Sequence, residues 1–164
     1  MLELTEGGRQ VAFSFDDLMR FHGGGSPGGV AMAFKVLERA LPLLEPGEPC
    51  ERREISIETA FGGPGARDGF EMATRAVSDG RYLVTEALAR PELGRERERF
   101  VFRPTYRGNE VTLVLRDGFV TAEFIDLART EGRTAAQEEH LGRLKLELAD
   151  RVMAEPAARV YDAA

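Results

Sequence analysis

The sequence predicts one domain that mixes helices with strands, and three observations predict it. Apolar residues recur at helical spacing after Ser26 and again after Thr134. They alternate with polar residues from Arg53 to Ala60, and two further strand-like runs flank a turn at Gly108-Asn109. With 164 residues, the chain buries roughly two-thirds of its unfolded surface in a single core, so residues 1–164 read as one domain.

Ser14 and Asp17 have the spacing of a capping box and predict a short helix over Phe15–Phe21 that delivers His22 to a run of glycines. Ser26 and Pro27 suit the cap and first position of the next helix. Its apolar face, Val30, Ala33, Phe34, Leu37, Ala40, Leu41 and Leu44, is predicted to end where Pro42, Pro46 and Gly47 interrupt it. From Arg53 to Ala60, Ile55 and Ile57 alternate with Ser56 and Glu58, the pattern of a strand with one buried face. Gly62-Gly63-Pro64-Gly65 then opens a second helix from a glycine loop, with Phe70, Ala73, Ala76 and Val77 inward.

Ser78-Asp79-Gly80 marks a turn before a strand over Tyr82–Ala87, with a helical alternative for Ala87-Leu88-Ala89. The alternating charges of Gly94–Glu98 read as a solvated loop. Arg99–Tyr106 and Glu110–Arg116 read as a hairpin around Gly108-Asn109, and Pro104 marks its first arm as an edge or a bulge. Thr134 and Gln137 form a second capping box, followed by the stripe Leu141, Leu144, Leu148 and Val152. No internal repeat or low-complexity segment interrupts this order.

A hydrophobic share of 43% with 30% charged residues is that of a folded chain. The net charge of −6 argues against non-specific nucleic-acid binding, which rewards clustered Lys and Arg. One cysteine, Cys50, excludes a disulfide framework or a cysteine-rich zinc site. No segment has the apolar length of a membrane span and Met1–Gln10 lacks a signal peptide's apolar run, so a cytoplasmic location is expected.

The candidate site is Phe21-His22-Gly23-Gly24-Gly25-Ser26-Pro27-Gly28-Gly29. Glycines let the backbone approach a ligand closely, and a helix start favours an anion. Gly23, Gly24, Gly25 and Ser26, with Gly62, Gly63 and Arg67 of the second loop, are the candidate ligand-binding residues. His22 reads as a general base or metal ligand, or as a ring that hydrogen-bonds a backbone carbonyl and holds the turn. Asp68, or else Glu58, is its candidate catalytic partner. His22, Glu58 and Asp68, with Glu71 beside them, are the only set the sequence offers for a divalent, zinc-like metal, although carboxylates near helix starts also serve as caps. Ser26 reads as a helix cap or, with His22 as base, as a nucleophile. His140 reads as a solvated surface residue, and acidic neighbours make the Cys50 thiol unreactive. Neither glycine cluster fits a Walker or dinucleotide fingerprint.

The order of elements, with Phe-His-Gly-x-x-x-Pro-Gly at the first long helix, resembles the FmdE-like family of formylmethanofuran dehydrogenase components along the whole chain. Asp68-Gly69-Phe70-Glu71, Ser78-Asp79-Gly80-Arg81-Tyr82-Leu83 and Met153-Ala154-Glu155-Pro156 with Tyr161 are similar to its later motifs. The family's opening motif, His-Gly-His-x-Cys-Pro-Gly, reads here as His22-Gly23-Gly24-Gly25-Ser26-Pro27-Gly28. Its second histidine is therefore Gly24 and its cysteine Ser26. The cysteine before the family's Asp is missing from Gly62–Arg67, and the C-terminal zinc ribbon is absent. The resemblance implies an α+β fold with a mixed sheet, a homodimer, and a pocket at the family's metal position that has lost its soft ligands.

Three functional readings follow. The chain binds a small anionic ligand or a metal in a glycine-lined pocket around His22; it is a metal-dependent or His-based enzyme of hydrolysis or proton transfer; or it is a scaffold without a site. The apolar hairpin residues Phe100, Phe102, Val111, Leu113 and Leu115 add to the expectation of a dimer, by needing a partner over their outer face.

Overall fold

In the computed structural model, which describes residues 1–164, β1 (Leu2–Glu6) and β2 (Arg9–Phe13) form an antiparallel hairpin. The sequence reading misses it. Gly7 and Gly8 both have positive φ, 57° and 77°, as the favoured two-residue hairpin turn requires. The inward Leu2 and Leu4 join the core.

The capping box before α1 (Phe15–His22) forms as expected: Ser14 Oγ accepts from the Asp17 N–H, and the Asp17 carboxylate accepts from the Ser14 N–H. α2 (Pro27–Leu44) is the central helix, buried over most of its length. It does not stop at Pro42 but passes through it. Proline forfeits one amide bond near the helix end, and the buried Leu41 and Leu44 keep the last turn in place.

β3 (Ile55–Thr59), α3 (Pro64–Thr74) and β4 (Tyr82–Val84) form a strand–helix–strand crossover whose two strands are parallel. α3 is shorter than expected: Arg75 caps it at φ 60°, and Ala76 is buried beyond its end. The strand expected over Tyr82–Ala87 ends at Val84, and Glu86–Leu88 form a 3-10 turn. β5 (Val101–Tyr106) pairs antiparallel with the other side of β3, and beyond it lie β6 (Asn109–Glu110) and β7 (Leu113–Leu115). After α4 (Ala122–Arg129), α5 (Ala135–Met153) and α6 (Ala157–Val160), β8 (Tyr161–Ala163) closes the sheet against β7. The strand order is β4-β3-β5-β7-β8, an α+β arrangement with a mixed sheet.

Pro104 lies in the middle of β5, neither at an edge nor in a bulge. Its neighbour Ile57 sits on one side, and on the other the ladder breaks at its missing N–H. Thr105 faces Glu110 and Phe102 faces Leu113, so the register is the same on both sides of the gap. One expected arm thereby becomes two short strands. The turn is centred on Arg107 and Gly108, at φ 47° and 84°, one residue earlier than the sequence suggests.

Phe100, Phe102, Leu113 and Leu115 point into the core, together with Ile55, Ile57, Phe70 and Tyr161, and Val111 packs against them half-buried. The hairpin therefore presents no apolar outer face that needs a second copy. Tyr161 reaches α2, where its hydroxyl donates to the Met32 carbonyl at 3.3 Å. α5 carries its predicted capping box and buried stripe. No helix is long and apolar enough to cross a membrane.

Candidate functional site

His22, the last residue of α1, has a side chain only 7% exposed. Its Nδ1 lies 2.8 Å from Asp68 Oδ2 of α3, and its Nε2 accepts the backbone N–H of Ser26 at 2.8 Å. A backbone amide is always a donor. Nε2 therefore carries the lone pair, and Nδ1 carries the proton that faces the carboxylate. Both nitrogens are engaged, so Nε2 is free for a proton or a metal only if Ser26 lets go. Ser26 holds the N-cap position of α2 as expected, but at φ −142° and ψ 66° its side chain makes no capping bond to the helix.

The glycines serve two different needs. Gly23 and Gly24, at φ 88° and 94°, turn the chain from α1 into the loop. Gly29 and Gly65 instead let α2 and α3 touch backbone to backbone, and Gly69 makes room for the Ala33 methyl. A Cβ on Gly65 would lie 2.2 Å from the Ser26 carbonyl oxygen, and one on Gly29 would lie 2.8 Å from the Ala66 nitrogen. The starts of the two helices are therefore pressed together. Both begin Pro-Gly, and neither has a side-chain cap or an acidic residue in its first turn. α1, α4 and α5 each have both. The first amides of α2 and α3 are thus left for something else to satisfy.

A cavity of about 380 Å³ opens at this double helix start. Ser26, Gly28, Gly29 and the loop Gly62–Gly65 form its floor, and its walls include Met32, Phe61, Phe100, Phe124, Ile125 and Leu148. The Phe61 and Phe100 rings stack at 4.5 Å. Four basic side chains line it, Arg95, Arg99, Arg129 and Lys145, and no carboxylate does. Three of them are paired with acids outside the lining: Arg95 with Asp126, Arg99 with Glu86 at 3.0 Å, and Arg129 with Glu98 at 3.6 Å. Lys145 has no carboxylate partner; its Nζ donates to the Gly25 carbonyl at 3.2 Å.

Of the candidate ligand-binding residues, Ser26, Gly62 and Gly63 line this cavity, whereas Gly23, Gly24, Gly25 and Arg67 do not. Arg67 is 57% exposed beside Asp68 at 3.8 Å, the ordinary surface pair. The metal set is not assembled, because no three His, Cys, Asp or Glu side chains group closely enough to hold an ion. Glu58 points to the sheet face opposite Ile55 and Ile57 and pairs with Arg103 across β5. Glu71 faces Ser78: burial works against its charged form, but hydrogen bonds from the Ser78 hydroxyl and backbone outweigh that and hold its carboxyl below the usual range. His140 lies on the surface as expected, 40% exposed and 2.5 Å from Glu123.

The sequence reading misses all four cations. Arg95 falls in the segment expected as a solvated loop, and Arg99 in the hairpin. Arg129 belongs to a helix that the sequence reading misses although Thr121 and Glu123 mark its start, and Lys145 to the polar side of α5. One signal does exist: Lys35 and Lys145 are the only lysines among 22 basic residues. Comparison with protein-family models and with curated proteins finds no match for this chain.

Proposed function

We propose that this protein binds a small organic anion, with its charged head at the joined starts of α2 and α3 and its apolar body along Phe61, Phe100, Phe124 and Ile125. The observation that carries the reading is the lining itself, four cations and no acid around a cavity of the size that small ligands occupy. Unsatisfied helix-start amides and the dipoles behind them favour negative charge. Lys145 supplies a cation not already neutralised by the chain. The apolar walls favour an organic anion over a bare inorganic ion, because only the former covers the aromatic surface.

The test is calorimetric titration with 4-phenylbutyrate and with 4-phenylbutanol, which share a body and differ in charge. The anion is expected to bind about tenfold or more tightly than the alcohol, a difference of about 1.4 kcal/mol. Lys145→Gln should erase most of that preference, and Arg67→Ala, outside the cavity, should leave it intact. Equal binding of acid and alcohol would refute the anion site.

A further inference from the structure

We infer that Asp68 and His22 are positioning residues for Lys145, acting through the single peptide unit that joins Gly25 to Ser26. The inference rests on the reading of the cavity as an anion site and gives the histidine motif a part in it without contact to the ligand.

The N–H and the C=O of a trans peptide lie in one plane and point in opposite directions, and the chain has no cis bonds. In this unit the N–H of Ser26 donates to His22 Nε2 at 2.8 Å, and the C=O of Gly25 accepts from Lys145 Nζ at 3.2 Å. Fixing one end of the plane fixes the other. The plane benefits from such a fixture, because it follows three glycines whose backbone turns freely. His22 is itself held by Asp68 at 2.8 Å and shielded from solvent. A continuous chain therefore runs from the carboxylate of α3 through the imidazole and one peptide to the ammonium of α5.

The chain is also ordered electrically. A carboxylate drawing on Nδ1–H makes Nε2 a better acceptor, which polarises the Ser26 N–H and enriches the Gly25 oxygen. That oxygen then meets a full positive charge, and bonds to charged donors are the stronger kind. The consequence is an ammonium parked at the cavity wall without being neutralised, unlike the three arginines. A carboxylate partner in place of the Gly25 carbonyl would have cancelled the charge that the site offers.

The experiment uses lysine-selective isotope labelling and NMR of the ligand-free protein, where two lysines give two side-chain signals. Lys35, held by Glu38 at 2.9 Å, is the internal reference. His22→Ala should shift and sharpen the Lys145 signal, as its side chain is released, and leave Lys35 in place. His22→Gln should restore the signal, because a glutamine amide oxygen occupies the position of Nε2. Asp68→Asn, which keeps an acceptor for Nδ1–H and loses only charge, should produce a smaller shift than His22→Ala. If His22→Ala does not fold, Asp68→Ala takes its place.

Titration with 4-phenylbutyrate supplies the second arm. His22→Ala and Lys145→Gln should each weaken binding about fivefold, and the double variant should be no weaker than Lys145→Gln alone. An unmoved Lys145 signal in folded His22→Ala, or additive losses in the double variant, would overturn the inference. Absence of 4-phenylbutyrate binding to the wild type would instead count against the anion site, and the NMR arm would still decide whether His22 positions Lys145.

Discussion

A methyl group added at position 65 is predicted to damage this protein about as much as the truncation of a core side chain. The ideal Cβ of Gly65→Ala falls 2.2 Å from the Ser26 carbonyl oxygen, 3.0 Å from the Val30 nitrogen and 3.1 Å from the Ser26 Cβ. Two of these are backbone atoms at the start of α2, so no side-chain rotation relieves them. The helices must separate, and Gly29, which meets Gly65 and Ala66 from the other side, loses its fit as well. Overpacking of this kind costs typically about 1–3 kcal/mol, and a backbone clash belongs at the upper end. For a chain of this size a loss of about 3 kcal/mol lowers Tm by roughly 6–12 °C. The control is the same substitution at Gly142, on an exposed face of α5 with nothing within 4 Å of the new methyl. There alanine only improves helix propensity, by about 0.5–1 kcal/mol, and Tm should rise by roughly 1–4 °C. Both are measured by calorimetry at fixed pH. A Gly65→Ala protein that melts within about 2 °C of wild type would refute the tight-contact account.

Alkali should destabilise the fold in a defined window. Burial, with Glu45 adding to it, pushes the Cys50 thiol from 9.0 up to about 11, and burial pushes the Tyr82 hydroxyl up to about 12. The folded chain keeps these protons where the unfolded chain releases them, so this contribution is complete below pH 9 and falls as pH rises. Cys50 alone should remove about 2–3 kcal/mol between about pH 9 and pH 11. Urea unfolding at about pH 8 and about pH 10.5 should therefore show a steeper decline for wild type than for Cys50→Ala, and identical declines would contradict it. Arg52, only 7% exposed, donates to the Ala73 carbonyl at 2.9 Å and to that of Met72, at the end of α3. Arg52→Met keeps the bulk but strands both acceptors, for a loss of about 2–4 kcal/mol in urea unfolding. Arg52→Lys should recover little of it, lacking the fork that reaches two carbonyls; full recovery would show that charge alone matters there.

The parts of the fold that are legible in sequence are those whose signal is local and repeated. The capping boxes at Ser14 and Thr134, the stripe of α5 and the alternation of β3 each state their structure within a few residues. The elements that escape are short and depend on distant partners. β8 is three residues whose pairing with β7 crosses most of the C-terminal half, and α4 has a single buried residue, Ile125. The β1–β2 hairpin does carry a cue, two glycines between runs with alternating apolar residues, but β2 has no fully buried side chain to strengthen it.

The site is legible in its floor and not in its walls. The glycine clusters and Ser26 mark where two helix starts meet, yet the spacing that suggests a ligand cradle is the same spacing that permits close helix packing. His22 and Asp68 stand out in the sequence as a pair, and in the fold they meet. Their meeting is a contact across 46 positions, and only the structure shows that the imidazole's lone pair is already taken by a backbone amide. The cations come from three separate segments, and no linear pattern announces that they face one another.

The backbone contact between α2 and α3 has a consequence for how fast the cavity exchanges its contents. Where the two helices begin, backbone packs on backbone with no long side chain to rotate aside, so an opening is easier from the opposite side. α4 is the least anchored wall, eight residues with one buried side chain, held by the surface pairs of Glu123, Asp126 and Arg129. Entry and departure then share one doorway. For the anion proposed above, a change that loosens α4 would shorten its stay twice over, by opening the doorway more often and by weakening the grip of Phe124 and Ile125, which line the cavity from that same helix.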